Sequence, residues 1–346
     1  MQRAIQLARN AIGKTAPNPA VGAVIVHENK IIGEGFHKKA GEPHAEPNAV
    51  NRVANKNLLK NATLYVTLEP CNHRGKTPAC TDLILKHHIP TVVVGMEDPH
   101  SRVAGKGIAR LREAGVEVIT GVLEDACKKL NPVFLTNHLK YRPYITLKWA
   151  QSQDGFIDKQ RSPGSDQKAQ KISGKNTALF THKMRAHHDS IMVGTRTALL
   201  DNPGLSADLW DGNRPLRVTL DRSLTLPGTL KIFNLPGSCL VFTECDAAPA
   251  DRVEFIKIPF DQNMFKRIMH ELFKRGITSI FVEGGTKLLQ SLIDINLWDE
   301  AVVYTGKIRL QAGVEAPRLK AALHENKMLD GDLIQRYIHP ENCLIR

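Results

Sequence analysis

The sequence has no apolar run that approaches the roughly 20 residues a membrane-spanning helix needs. Its first residues, MQRAIQLARNAIG, have the pattern of an amphipathic helix and lack the apolar core of a signal peptide. Hydrophobic residues make up 42% of the chain and charged residues 24%, close to the globular average, which argues against disorder, collagen and a disulfide-built scaffold. We therefore expect a folded, cytoplasmic protein.

Polybasic tracts are also missing, although the formal net charge is +12. Lysines and arginines are spread along the chain, and aromatic residues, on which nucleic-acid bases would stack, make up only 5% of it. The net charge indicates an anionic partner, either nucleic acid or a small phosphorylated substrate, and does not choose between them. The lack of a basic tract weakens the nucleic-acid alternative.

Disulfide bonds are not expected, because the six cysteines occur in a chain without an export signal. Cys127, Cys239, Cys245 and Cys343 lie in unpatterned surroundings, and we expect them to be small buried residues. The other two cysteines belong to a pattern that carries chemistry.

A length of 346 residues favours two domains. Residues 21–37 predict a β-hairpin, and strands separated by helices follow as far as residue 125, which indicates an α/β layer domain. A helical segment ends near Tyr141, Pro143 breaks it, and YITLKWA begins a new strand, so we place the boundary at about residue 142. The second half alternates strands and helices again and predicts a second, mostly parallel α/β domain.

The second half has no GxGxxG motif, so a two-half dinucleotide fold gains no support. The stretch VEGGTKLLQSL combines a strand, two glycines and a helix, and this geometry can present backbone N–H groups to a phosphate. By itself the turn is a weak signal, because tight packing explains it equally well.

Three residues of the first half predict a catalytic zinc site. His44 opens a helix, Cys71 ends a strand, and Cys80 lies in the first turn of the next helix, after Thr77 and Pro78. One imidazole and two thiolates suit zinc, and three protein ligands leave the fourth tetrahedral position for water.

A glutamate completes this pattern. Glu46, two residues after His44, is close enough to take a proton from such a water molecule and to pass it to a leaving amine. His-x-Glu followed by Pro-Cys and a second cysteine is the signature of zinc deaminases, although eight residues rather than two separate the cysteines here.

The first 125 residues resemble the bifunctional deaminase/reductase family of riboflavin biosynthesis. The matching stretches are PNPAVGAVIV, GFHKKAGEPHAE, EPCNHRGKTPAC and EDPHSRVAGKG. The resemblance implies a cytidine-deaminase-like three-layer domain in residues 1–142, with zinc on His44, Cys71 and Cys80 and the proton shuttle at Glu46. It also implies substrate contacts for a further set of polar residues, namely Asn18, His37, His73 and Lys76. These fit the chemistry, because a lysine can meet a phosphate as a point charge and an asparagine can bind a pyrimidine edge.

The second half resembles the reductase domain of the same family, which is similar to dihydrofolate reductase and uses NADPH. The matching stretches are TLKWAQSQDG, THKMRAHHDSIMVGTRTALLDNP and FVEGGTKLLQSL. The resemblance implies such an α/β domain in residues 143–346. Its implied substrate-site residues are Lys148, Asp201 and Glu283, and its implied cofactor-site residues are Ser152, Asp154, Ser173, Gly194, Thr197, Gly284, Gly285 and Thr286.

Several positions depart from the family pattern. In the first half His100 and Ser101 replace the usual Asn-Pro, and Ala79 replaces a proline. In the second half Gln153 and Lys171 replace a leucine and a tryptophan, and Asp208 stands where a phosphate-binding arginine is expected. A carboxylate repels a phosphate, so the reductase either binds its substrate through another residue or is weak.

The sequence therefore predicts zinc-dependent deamination of 2,5-diamino-6-ribosylamino-4(3H)-pyrimidinone 5′-phosphate, followed by NADPH-dependent reduction of its ribosyl group to ribityl. Three alternatives stay open: a deaminase with a weakened reductase domain, a nucleic-acid deaminase with an accessory domain, and a non-catalytic zinc protein in which four protein ligands surround the metal. We also expect a homo-oligomer, because assembly covers exposed sheet edges.

Overall fold

A computed structural model describes residues 1–73, 78–100, 104–162 and 167–341. The chain divides into two compact units between Tyr141 and Arg142. No helix within the described ranges is both long enough and apolar enough to cross a membrane. Four residues that the sequence singled out, Lys76, Thr77, Ser101 and Cys343, lie outside these ranges.

In the first unit a mixed β-sheet lies between two layers of helices. The described strands have the order β2-β1-β3-β4-β5, with β1 antiparallel to β2 and β3, and with β3, β4 and β5 parallel. The strands are β1 (Gly22–His27), β2 (Lys30–Phe36), β3 (Thr63–Leu68), β4 (Thr91–Met96) and β5 (Glu117–Ile119). The helices are α1 (Gln2–Arg9), α2 (Ala45–Arg52), a 3-10 helix (Lys56–Asn61), α3 (Cys80–Lys86), α4 (Lys106–Glu113), α5 (Glu124–Lys128) and α6 (Pro132–Lys140).

Both faces of this sheet are buried, as the alternation of side chains along β1 shows. Ala23 and Ile25 pack in the cluster that includes α2, α3 and α4, whereas Val24 packs with α1. Helix α2 approaches β2 closely, because a Cβ added at Gly35 would lie 2.5 Å from the backbone nitrogen of Ala49. This contact fixes the start of α2, where His44 is the N-cap residue.

The second unit contains a long β-sheet with the strand order β11-β10-β9-β8-β12-β6-β13-β16-β15 among the described residues. It is parallel from β11 to β13 and antiparallel from β13 to β15. Its strands are β6 (Tyr144–Gln151), β8 (Ser190–Val193), β9 (Leu216–Leu220), β10 (Cys239–Thr243), β11 (Val253–Lys257), β12 (Ser279–Val282), β13 (Glu300–Thr305), β15 (Leu323–Leu329) and β16 (Asp332–Ile338), while β7 (Phe156–Asp158) and β14 (Val314–Glu315) form a separate pair. The helices are α7 (Lys175–Ala186), α8 (Thr195–Asp201), α9 (Lys231–Asn234), α10 (Met264–Lys274) and α11 (Thr286–Asp294).

The α/β class predicted for both halves is confirmed. The helix expected from His44 to Leu58 is shorter, because α2 ends at Arg52 and a 3-10 helix follows. The hairpin β15–β16 escaped prediction, since nearly all of β15 is exposed and polar and shows no apolar alternation. Its turn, Asp330-Gly331, has positive φ at both residues, which is a hairpin signal visible in the sequence.

The predicted burial of the cysteines is confirmed for Cys127 and Cys239, which are 0% and 1% exposed. It is wrong for Cys245, which lies partly exposed beyond the end of β10, with its thiol near the carbonyl of Arg222. All five described cysteines are free thiols.

Candidate functional site

Three side chains from separate elements of the first unit meet at one point. His44 precedes α2 in an extended conformation, Cys71 follows β3, and Cys80 is the first residue of α3. The Nδ1 atom of His44 lies 3.6 Å from the Sγ of Cys71 and 3.4 Å from the Sγ of Cys80. The backbone N–H of Cys80 donates a hydrogen bond to the Sγ of Cys71 at 3.3 Å.

The spacing of these atoms fits a tetrahedral zinc ion. Bond lengths of about 2.3 Å to sulfur and about 2.0 Å to nitrogen place two tetrahedral ligands about 3.5 Å apart. The distances from Nδ1 to the two sulfurs match this value, and all three donor atoms lie within 4.8 Å of one another. The donors are soft, as zinc prefers, and three of them leave one coordination position for a non-protein ligand.

The two thiols influence one another's ionisation. The Cys80 thiol and the His44 imidazole, both hydrogen-bonded to Cys71, hold the pKa of Cys71 at about 4 despite its burial. The Cys71 thiolate, together with burial, raises the pKa of Cys80. Two adjacent thiols without a cation therefore share one proton, whereas a bound metal ion favours both thiolates.

Glu46 lies in the first turn of α2, beside this centre. It is only 3% exposed, and burial, followed by the negative charge of Cys71, raises the pKa of its carboxyl group to about 7. The carboxyl group is within hydrogen-bonding reach of the Cys80 thiol. A carboxyl group poised near neutrality can both accept and donate a proton at physiological pH.

A cavity of about 790 Å³ opens over these residues. Asn18 and His37 line it, with the Nδ2 of Asn18 3.2 Å from the Nε2 of His37. The Nδ1 of His37 is 3.2 Å from the carbonyl oxygen of Pro43, and burial lowers the pKa of the ring, so the contacts suit a neutral imidazole that donates from Nδ1. His73 lines the cavity as an exposed residue.

His100, which stands where the family has asparagine, belongs on this cavity wall to a cluster of three rings in edge-to-face contact. The ring of His100 lies 4.9 Å from the ring of His138, which in turn lies 4.4 Å from Phe134. Asp98 accepts a hydrogen bond from the backbone N–H of His100 at 2.8 Å, and burial raises the pKa of its carboxyl group. His138 and Phe134 were not predicted to belong to this wall, because no motif in the sequence links them to the zinc site.

In the second unit, charged side chains from β6, α7 and the residue after β12 lie close together. Glu283 follows β12, is 9% exposed, and accepts two hydrogen bonds from Arg185 of α7, at 2.7 and 2.5 Å. Burial raises the pKa of Glu283, but the charges of Arg185 and Lys148 and the Arg185 hydrogen bonds outweigh it, so that the net pKa is lowered. Lys148, on β6, lies 4.7 Å from the centre of the Tyr304 ring, and burial lowers the pKa of its amine. Sequence reasoning missed Arg185.

The glycines of the two predicted cofactor turns are adjacent. Gly194 precedes α8 and Gly285 precedes α11, with φ of +73° at Gly285. A Cβ added at Gly284 would lie 3.1 Å from Thr197, and one at Gly285 would lie 2.9 Å from its hydroxyl oxygen. The hydroxyl group of Thr286 donates to the carbonyl of Glu315 at 2.5 Å.

The remaining predicted cofactor residues lie in other surroundings. The Oγ of Ser152 donates to Asp154 at 2.6 Å, and Asp154 also accepts from the backbone N–H groups of Leu310 and Gln311. These bonds, that of Ser152 first, lower the pKa of Asp154 to about 2. Ser173 precedes Gly174, whose N–H donates to a carboxylate at the start of β16.

The predicted substrate residue Asp201, at the end of α8, forms an ion pair with Arg161. The Arg161 side chain is only 4% exposed and also donates to Asp158 at 2.6 Å and to the carbonyl of Leu200 at 3.2 Å. Arg161 was not among the predicted site residues, since nothing in the sequence linked it to a residue 40 positions away. Asp208, the departure from the family pattern, is exposed.

Comparison with known proteins assigns both units. Residues 1–96 match the family model of the cytidine and deoxycytidylate deaminase zinc-binding region, and residues 143–310 match that of the RibD C-terminal domain. The riboflavin biosynthesis protein RibD of Bacillus amyloliquefaciens is 39% identical over 328 residues, covering 92% of this chain and 86% of that protein. RibD of Escherichia coli is 33% identical, covering 99% and 97% of the two chains.

A crystal structure from Thermotoga maritima shows the same architecture. It is that of a diaminohydroxyphosphoribosylaminopyrimidine deaminase/5-amino-6-(5-phosphoribosylamino)uracil reductase, with a TM-score of 0.83, 36% sequence identity, and coverage of 98% of this chain and 97% of that one. A zinc-binding deaminase domain followed by a reductase domain defines a bifunctional deaminase/reductase with zinc and NADPH as cofactors. The chain belongs to the RibD family of riboflavin biosynthesis enzymes.

Proposed function

We propose that the first unit deaminates 2,5-diamino-6-ribosylamino-4(3H)-pyrimidinone 5′-phosphate and that the second reduces the ribosyl group of the product to a ribityl group. The observation that carries this proposal is the convergence of one imidazole nitrogen and two thiol sulfurs beside a buried carboxyl group, at the wall of a cavity of about 790 Å³. Ligand pockets commonly measure roughly 300–1,000 Å³, so the volume suits a phosphorylated pyrimidine.

In the deaminase site, zinc, when bound, supplies the acidity that makes a water molecule nucleophilic at neutral pH. Glu46, buried beside the three ligand residues, takes a proton from the attacking water and returns one to the leaving amine. The water oxygen bonds to the amine-bearing ring carbon, the carbon–nitrogen bond breaks, and ammonia leaves. Asn18 and His37, which contact each other on the cavity wall, bind and orient the pyrimidine.

In the reductase site, NADPH, when bound, supplies the hydride that reduces C1′ of the ribosyl group. The glycines before α8 and α11 let the two turns pack against each other and against Thr197, which brings two helix starts together as a place where backbone N–H groups can meet the cofactor phosphates. Lys148, with a lowered pKa, gives a proton to the ribosyl oxygen as the ring opens. Glu283 holds Lys148 and Arg185 together by charge.

The substrate phosphate in the reductase site needs a cation, because Asp208 stands where the family has arginine. Arg185 contacts the same loop, because its guanidinium donates to the carbonyl of Ser206 at 2.9 Å, but its two hydrogen bonds to Glu283 already compensate its charge. The second candidate function, a deaminase with a weakened reductase, is favoured by the same aspartate, which repels a phosphate.

One experiment separates these two possibilities. Purified protein is incubated with the diaminopyrimidine phosphate, with and without NADPH, and ammonia release and NADPH oxidation are recorded separately. We expect ammonia in both samples and NADPH oxidation that follows it. Ammonia without NADPH oxidation supports the deaminase alone, and no ammonia in either sample contradicts the proposed function.

We also propose a homo-oligomer and a cytoplasmic location. The assembly is supported by β15, a seven-residue strand at the edge of the long sheet whose side chains are almost all exposed. Light scattering coupled to gel filtration tests the assembly, and a mass of one chain contradicts it. Fractionation of cells with an antibody to the protein tests the location.

A further inference from the structure

Besides the backbone hydrogen bonds from Cys80 and Thr81 to Cys71, the two metal-binding cysteines are held by a second feature that comes from outside this segment. Cys71 and Cys80 are nine positions apart, and the described residues between and around them reach no regular structure until α3 begins. A metal site needs its ligands fixed to within a few tenths of an ångström. Helix α4, which contributes no ligand, contacts the residues next to both cysteines.

The first contact involves Glu69, two residues before Cys71. Its carboxylate is 4% exposed and accepts backbone N–H groups from Gly107 at 2.8 Å, Gly105 at 2.9 Å, Asp98 at 3.1 Å and Ile108 at 3.3 Å. Three of these donors belong to the start of α4, where N–H groups lack partners within the helix and a negative charge is favoured. The carboxylate therefore ties the end of β3 to α4.

A glycine makes this contact close. A Cβ added at Gly107 would lie 2.1 Å from the carbonyl oxygen of Pro70, the residue immediately before Cys71. Only a residue without a side chain lets α4 pack against the chain at this point. The backbone that leads into Cys71 is thus pressed against the helix.

The second contact involves Arg110, one turn further along α4. Its guanidinium donates to the Oδ1 of Asn72 at 2.8 Å, to the Oγ1 of Thr81 at 3.0 Å and to the Oδ1 of Asp82 at 2.6 Å. The hydroxyl group of Thr81 donates to the Oδ1 of Asn72 at 3.1 Å, which closes the network. Asn72 directly follows Cys71 and Thr81 directly follows Cys80, so one side chain spans both ligands.

We propose that Arg110 and Glu69 are positioning residues for the zinc site, which hold Cys71 and Cys80 at metal-binding distance through their sequence neighbours. The fork of a guanidinium suits this task, because it meets three acceptors in fixed directions. Residues that orient metal ligands typically contribute 10- to 100-fold to metal affinity. Arg110 is partly exposed, so its ion pair with Asp82 adds little to the stability of the fold.

The test compares Arg110→Lys and Arg110→Met with Arg112→Lys. Arg112 lies on the same helix and donates to the carbonyl of Val118, away from the cysteines. Zinc affinity is measured by competition with a chromophoric chelator, and the ligand geometry by the thiolate-to-cobalt absorption of the cobalt-substituted protein. Both Arg110 variants should bind zinc about 10- to 100-fold more weakly and show an altered cobalt spectrum, whereas Arg112→Lys matches the unmodified protein.

Unchanged zinc affinity and an unchanged cobalt spectrum in both Arg110 variants would overturn the proposal. Glu69→Gln replaces one acceptor oxygen by an amide donor that faces N–H groups. Like the Arg110 variants, it should bind zinc more weakly than the unmodified protein. If Glu69→Gln does not fold, Asn72→Ala tests the same network from the other side, with the same expected loss of affinity. Neither readout requires a substrate, so failure of this proposal is distinguishable from failure of the proposed deamination.

Discussion

The two sites of this chain handle charge in opposite ways. In the deaminase unit, His44, Cys71 and Cys80 bring three donor atoms together, and the two thiols share one proton until a bound metal ion favours both thiolates. In the reductase unit, Glu283 lies between two cations, Arg185 and Lys148, and the cluster is compensated by the protein itself. The first site is completed by a bound ion, and the second by residues far apart in the sequence.

The comparison predicts that single substitutions separate the two activities. Glu46→Gln should retain zinc, because Glu46 is not among the three donor residues, and should lower the rate of ammonia release by about 10²- to 10⁴-fold through loss of the proton carrier. NADPH oxidation, assayed with the deaminated intermediate, should be unchanged. Glu113→Gln at the end of α4 is the matched control, and an active Glu46→Gln enzyme would show that the assignment of Glu46 is wrong.

The compensated cluster should be sensitive in a different way. Glu283→Gln leaves Arg185 and Lys148 facing each other without a counter-charge and should lower the free energy of unfolding of the reductase unit by about 3–5 kcal/mol, with loss of NADPH oxidation. Tryptophan fluorescence during denaturation reports this unit selectively, because Trp149, Trp210 and Trp298 all belong to it.

The control for Glu283 is a carboxylate whose ion pair is not buried. Glu271→Gln removes a partner of Arg275 whose side chain is 30% exposed, and it should cost no more than about 1 kcal/mol. Equal losses of stability for the two substitutions would contradict the distinction between a compensated buried cluster and a surface ion pair.

The contrast between the sites also explains what the sequence could predict. The zinc ligands and Glu46 were found because the deaminase signature concentrates them in two short stretches. Arg110, Arg161 and Arg185 were missed because each pairs with a distant carboxylate, 28, 40 and 98 residues away, although Arg161 also pairs with Asp158 three residues away. Basic and acidic residues are numerous in the chain, and only the fold decides which of them pair.

The fold follows the same rule. Most parallel strands were predicted, and the sheet was expected to be mostly parallel from the alternation of strands and helices, whereas the partly exposed parallel edge strand β11 and the polar edge strand β15 were missed. The Asp-Gly turn at residues 330 and 331 is a local sequence signal for the β15–β16 hairpin. The position of the core could be predicted from the sequence, whereas the long-range pairing of polar groups could not.

A smaller effect is expected from substitution of Asp208, the exposed residue at which the reductase unit differs from the family pattern. Asp208→Arg restores a cation where the family has one and should lower the KM for the phosphorylated intermediate by roughly fivefold, with little change in kcat, because one exposed charge contributes about 1 kcal/mol. Asp211→Arg makes the same change of charge three residues away and should leave KM unaltered. The same decrease in both variants would indicate a general effect of net charge.

The smallest effect concerns acid stability. The hydrogen bonds that Asp154 accepts hold the pKa of its carboxyl group at about 2, below the ordinary value of 3.8. The ionised carboxylate therefore stabilises the folded reductase unit above pH 3.8, and this contribution is lost as the pH falls towards 2. Asp154→Asn should therefore lower the denaturation midpoint, followed by tryptophan fluorescence, at neutral pH, and the difference from the unmodified protein should vanish near pH 2. A difference that persists unchanged across this interval, or one matched by Asp211→Asn, would count against the assigned hydrogen bonds.

The most direct test of the account is a zinc titration of the metal-depleted protein in which both activities are followed. Ammonia release should rise in proportion to added zinc and reach its maximum at one ion per chain, while NADPH oxidation with the deaminated intermediate stays constant throughout. Ammonia release by the metal-free protein, or a reductase activity that rises and falls with the zinc content, would contradict the division of the chain into one metal-completed site and one self-compensated site.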